Sequence, residues 1–214
     1  MKKGIYGLIL TASCLFLAFG GVLQNFALAA ELSPKTRQVI DNAGEKDDLL
    51  KSIESLNRLS PKELEEFTQY IEYHSQEVPP VYFILMADYI YNTNKDKAAL
   101  WYYIGKLRSY QDVMMCADTT AQSQVKLYPA FAPKTLKYLS KKESNKKYII
   151  NLFQNTLDWD SKHPERVEPV WACRLGISAK TTTPQIDPKK NRQDVINTTR
   201  NDLTETIQKL QKSL

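Results

Sequence analysis

The chain has 214 residues, 43% hydrophobic and 25% charged, with a formal net charge of +5 at pH 7. This is the composition of a globular protein, and so small a surplus gives no reason to expect a nucleic-acid partner. Beyond the first 21 residues the only glycines are Gly44, Gly105 and Gly176, which excludes glycine-rich phosphate loops.

The N-terminus reads as an export signal. Lys2 and Lys3 precede an apolar run over 5–23, and Ala27-Leu28-Ala29 forms a small-x-small cleavage site. Residues 1–29 are therefore expected to be removed. That leaves no integral membrane segment and a mature chain of about 185 residues. Cys14 is poorly placed for lipidation, since Leu10 lies too far upstream and the run continues apolar after it. Cleavage takes Lys2 and Lys3, which lowers the net charge from +5 to +3. Two cysteines remain, Cys116 and Cys173, and an even pair in an exported chain predicts one disulfide. The expected compartment is the periplasm of a Gram-negative bacterium or the exterior.

The mature chain reads as helices throughout. Ser33-Pro34 opens a short helix that Gly44 stops. Leu49, Leu50, Ile53 and Leu56 recur at helical spacing after Lys46. Ser60-Pro61-Lys62-Glu63 is a capping box for a helix carrying Leu64, Phe67, Ile71 and His74, ended by Val78-Pro79-Pro80. The stretch 79–116 is the most apolar and aromatic of the chain. It reads as two helices joined by Asn92-Thr93-Asn94, with Gly105 predicted where a neighbouring helix crosses closely. Asp118 and Thr119 are expected to cap a short helix. Pro129 and Pro133 break the chain, and Ser140-Lys141-Lys142-Glu143 is a second capping box, expected to open a helix with Ile149, Ile150, Leu152, Phe153 and Leu157. A polar loop is expected over 158–168. Trp171 and Cys173 return to the body, residues 178–190 form a linker, and 191–214 form an amphipathic helix carrying Ile196, Leu203, Ile207, Leu210 and Leu214. That helix either docks on the body or binds a partner, which leaves self-association open. The expected architecture is all-α, with a helical domain over 30–177 and no substantial sheet.

The spacing of Tyr82, Leu85, Tyr89, Ala98, Tyr102 and Gly105 resembles one tetratricopeptide-type repeat. The run from Asp96 to Tyr102 resembles the core of Sel1-like repeats, with a shortened interval between Asp96 and Ala98 and with Met86 where the family prefers glycine. The resemblance covers about one repeat. It implies an antiparallel helix pair of the kind that binds proteins or peptides.

Chemistry-bearing patterns are sparse. His74 and His163 stand far apart, and neither has a sequence neighbour that makes a metal site specific, so no metal or cofactor is expected. Asp158-Trp159-Asp160 reads as a helix end. Ser144 and Lys147 have the spacing of a serine–lysine pair but sit in an exposed lysine-rich helix start. The charge is uneven, with nine acidic against four basic residues over 45–77, and seven lysines against Glu143 alone over 126–147. Such a lysine face is either merely solvated or steers an acidic partner. The tyrosines exceed what one buried face needs. Tyr91, Tyr103, Arg108 and Tyr110 either line a partner groove, since such residues concentrate at interface hot spots, or belong to the core with the tyrosine hydroxyls at the surface. The functional expectation is a protein-binding module, an adaptor or an immunity-type inhibitor of an exported toxin. The alternatives are an envelope hydrolase with a site near residues 158–163, and an assembly protein that oligomerises through the last helix.

Overall fold

Local sequence chemistry sets the helix ends in the computed structural model, which describes residues 32–45 and 54–214. The signal segment and most of the apolar run after Lys46 lie outside the described residues. Helix α1 (Pro34–Glu45) begins at the predicted Ser33-Pro34 start. A single helical turn at 54–56 precedes α2 (Pro61–Tyr73). The Ser60–Glu63 capping box of α2 is formed in both directions. The Glu63 backbone N–H donates to Ser60 Oγ at 3.4 Å, and the Ser60 N–H donates to Glu63 Oε2 at 2.7 Å. Buried Phe67 and Ile71 face inward from α2.

Helices α3 (Val81–Ile90) and α4 (Lys95–Met114) form the central hairpin. Seven consecutive residues of α3, from Val81 to Ala87, are buried, as a helix enclosed on several sides requires. The turn between the two is the predicted Asn92-Thr93-Asn94, and Asn94 caps α4 by accepting from the Lys97 N–H at 2.9 Å. Gly105 allows the crossing. A Cβ built there would lie 2.7 Å from Ile84 Cγ1 and 2.9 Å from the Pro80 carbonyl oxygen.

The remaining elements gather around α4: a 3₁₀ segment (Thr119–Phe131), α5 (Pro133–Lys142), α6 (Lys146–Lys162), the single turn α7 (Val170–Cys173) and α8 (Arg192–Lys212), each of which packs against it. The described residues contain no strand, only an isolated bridge between Cys116 and Ile186, so the all-α expectation holds. Among them no helix is long and apolar enough to cross a membrane.

Helix α1 runs through Gly44, its expected stop, to Glu45, and three other boundaries differ from expectation. Ser140 lies inside α5 and donates to the Lys137 carbonyl, so the Ser140–Glu143 capping box does not form. Pro133 starts that helix earlier, and burial of Thr135 and Leu139 carries it through Ser140. The next helix is capped instead by Asn145, which accepts from the Tyr148 N–H at 3.1 Å. Pro129 does not break the chain but sits within the 3₁₀ segment. The expected loop from Asp158 begins only after Lys162, because α6 runs on to bury Asp160.

The disulfide is Cys116–Cys173, with Cα atoms 5.1 Å apart, and it ties the end of α4 to α7. Residues 177–190 cross this end as a strap. The Ala117 N–H donates to the Gln185 carbonyl, the Asp187 N–H to the Met115 carbonyl, and Lys190 Nζ to the Met114 and Cys116 carbonyls. Gly176 is required beneath it, since a Cβ there would sit 2.3 Å from Asp118 Oδ2. Helix α8 is docked, with Ile196, Thr199 and Ile207 buried against the body.

Candidate functional site: a tyrosine and lysine face

The four residues expected to line one groove fall into different surroundings. Arg108 is fully buried, so it lines no groove, and its partner lies 52 residues away at Asp160. Tyr103 and Tyr110 share one face of α4, two helical turns apart. Tyr103 is half-buried and packs edge-on against Phe153 of α6, with ring centroids 5.0 Å apart. Tyr110, 40% exposed, borders a cleft of about 340 Å³ between α4 and α8 that Lys190, Val195 and Asp202 also line. Tyr91 stands at the opposite end of α4, beside Tyr138.

Tyr91 belongs to a cluster that sequence reasoning missed. Its ring meets Tyr138 of α5 edge-on at 6.2 Å, and Tyr138 meets Tyr148 of α6 at 6.3 Å and 89°. Both phenols converge on one carboxylate. Tyr138 OH donates to Asp96 Oδ1 at 2.6 Å, and Tyr148 OH donates to the same oxygen at 2.9 Å. Asp96 is set by the first turn of α4, two residues inside the Asn94 cap, where the helix dipole favours a carboxylate. The hydrogen bond from Tyr138 holds its carboxyl below the usual range. Partial burial, together with the bond to Asp96, pushes both phenols up, so they stay neutral donors.

Lysines surround these rings. Lys142 Nζ lies 5.5 Å from the Tyr138 centroid and 5.4 Å from that of Tyr148, and Lys95 lies 5.6 Å from Tyr91. Lys137, Lys141 and Lys147 are exposed and make no ion pair among the described residues. The turn between α5 and α6 thus presents fixed aromatic edges inside a positive field. The signal was present in the sequence as two tyrosines bracketing the lysine-rich stretch, but it takes the fold to bring Tyr91 and Asp96 beside them.

The 158–163 segment carries no free acid–base pair. Asp160 is buried, and its Oδ1 accepts from Arg108 Nε at 2.7 Å and from Arg166 Nη2 at 2.9 Å. Its Oδ2 accepts from Arg200 Nε at 2.8 Å. Burial opposes the charge on Asp160, but Arg166 and Arg108 outweigh it and hold the carboxyl low. Trp159 stacks on His163 with centroids 4.1 Å apart, and the Arg108 guanidinium lies 4.6 Å from the same indole. Asp112, also buried, accepts from Trp171 Nε1 at 2.8 Å and faces Arg192 at 3.5 Å, yet desolvation pushes its carboxyl up to about 6. Ser144 and Lys147 are both exposed. A smaller cavity of about 270 Å³ lies under the strap beside Cys173. Among the described residues no group of three or more histidine, cysteine or acidic side chains is placed to hold a metal.

Comparison with known proteins finds no matching protein family, curated protein or solved structure.

Proposed function

We propose that this chain is an exported protein-binding module, an adaptor or immunity-type inhibitor, whose α5–α6 turn receives an acidic protein partner. The observation that carries the reading is the Tyr91–Tyr138–Tyr148 cluster, with Tyr138 and Tyr148 locked through Asp96, Lys95 and Lys142 over the rings, and exposed Lys137, Lys141 and Lys147 on the same two helices. Rigid tyrosines supply contact area at little entropic cost. Unpaired lysines attract an acidic surface and speed encounter. The Cys116–Cys173 bond supports an oxidising compartment, in line with the export reading of residues 1–29. The α3–α4 hairpin serves in this reading as a single tetratricopeptide-like unit. The apolar stripe of α8 is turned into the body, which favours partner binding at the lysine face over oligomerisation through that helix.

The test is affinity capture by the mature protein, from Ala30 onward, out of an envelope extract of its own organism. It is run beside the charge-reversed variant Lys137→Glu/Lys141→Glu/Lys147→Glu and beside Tyr138→Ala. The reversed side chains are exposed, so circular dichroism should be unchanged. A stoichiometric acidic partner held by the wild type and lost by both variants is the expected result. Equal capture by all three would sink the assignment of this face.

A further inference from the structure

We propose that the arginine cluster where α4, α6 and α8 meet binds one small inorganic anion of chloride size. Four guanidinium groups, those of Arg108, Arg166, Arg192 and Arg200, face two buried carboxylates, Asp112 and Asp160. The third carboxylate in reach, Glu168, is 76% exposed and approaches only Arg192. Asp160 is already fully engaged, with both oxygens taken by three arginines and its carbonyl by Arg200 Nη2. Asp112 is engaged by Trp171 and Arg192.

Two donors are left over. Arg108 Nη1 and Arg166 Nε are buried with no acceptor among the described residues, although Arg108 is 0% and Arg166 only 3% exposed. Both guanidinium groups lie on the same Asp160 oxygen, so the unmet donors belong to one neighbourhood. Desolvation pushes both arginines below their ordinary range, with repulsion from Arg200 adding to it at Arg108 and repulsion from Arg108 at Arg166. Burying an uncompensated charge is costly, and an arginine cannot relieve that cost by giving up its proton. Water could accept these N–H groups but would bring no charge. A monatomic anion brings one and accepts several N–H groups without a preferred direction.

The experiment uses the full mature protein. Thermal melts are recorded at fixed pH and ionic strength while gluconate, too large for the cluster, is replaced by chloride or bromide. Screening is then constant, and only specific binding moves the midpoint. The expected result is a saturating rise, on the order of 5 °C at a hundred times the dissociation constant. Arg166→Lys keeps the charge but removes the Nε–H, and should lose most of this rise, whereas Arg58→Lys, remote and exposed, should keep it. If Arg166→Lys does not fold, bromide-soaked wild-type crystals should show anomalous density within hydrogen-bond distance of Arg166 Nε. Identical melts in chloride and gluconate would overturn the proposal, as would a halide effect undiminished in Arg166→Lys or bromide found only at surface lysines.

Discussion

Replacing Gly105 by alanine tests whether the central hairpin is packed as described. In an exposed helix interior the change would stabilise by about 1 kcal/mol, because glycine loses more backbone freedom on folding. Here the new Cβ would lie 2.7 Å from Ile84 Cγ1, 2.9 Å from Pro80 O and 3.0 Å from Ile84 N. The side-chain contact can yield, but the two backbone contacts cannot without shifting α3 against α4. Overpacking of this kind costs about 1–3 kcal/mol, and rigid neighbours place Gly105→Ala near the upper figure. The net expectation is destabilisation by about 2 kcal/mol, or roughly 4–8 °C in Tm for a chain of this size. Urea unfolding of the oxidised protein, followed by circular dichroism, reads this as a lower midpoint at unchanged slope. Ile84→Ala should relieve part of the clash, so the double variant should be less destabilised than the sum of the singles. An unchanged or raised midpoint for Gly105→Ala would show that the helices do not approach this closely.

Cys116→Ser/Cys173→Ser should lower stability by about 4 kcal/mol on the chain-entropy account of a loop with 57-residue separation, measured as the urea midpoint against the oxidised wild type. Asp160→Asn leaves three arginines without their shared carboxylate and should cost about 3–5 kcal/mol, read in the same way. The two buried aspartates should act oppositely with pH. Asp160, held low, contributes stability that is present above its unfolded value and lost as pH falls through the folded one. Asp112, raised from 3.8 to about 6, contributes stability that is present below its unfolded value and lost as pH rises through that window. Asp112→Asn should therefore remove a component that falls between about pH 4 and 6, visible as a changed slope of urea midpoint against pH.

What could be read from the sequence was whatever rests on neighbours in the chain. The Ser60–Glu63 box and the Asn92-Thr93-Asn94 turn depend on residues within four positions, and both form as expected. The disulfide followed from cysteine number and compartment, and Gly105 from the absence of any local reason for glycine in mid-helix. The misreadings share a cause: a local signal was overruled by burial at a distance. Ser140 has a cap pattern, but the helix begun at Pro133 passes through it. Arg108 read as an interface residue because arginine concentrates at hot spots, but the carboxylate it pairs with arrives 52 residues later. The Tyr91–Tyr138–Tyr148 cluster unites three separate elements, so no spacing rule could have found it.

The strap over residues 177–190 bears on the order of events during maturation. Cys116 is wholly buried and Cys173 nearly so, and the segment lying across them is held by Asp118, Met115 and Lys190 and is followed directly by α8. Thiol–disulfide exchange requires an approaching sulfur to reach one of the pair. An oxidant or a reductant therefore reaches the pair only before the C-terminal segment seats itself or while that segment is lifted. Once it is seated, the lifetime of the bond in a reducing bath is governed by how often the strap lifts, not by the strength of the reductant.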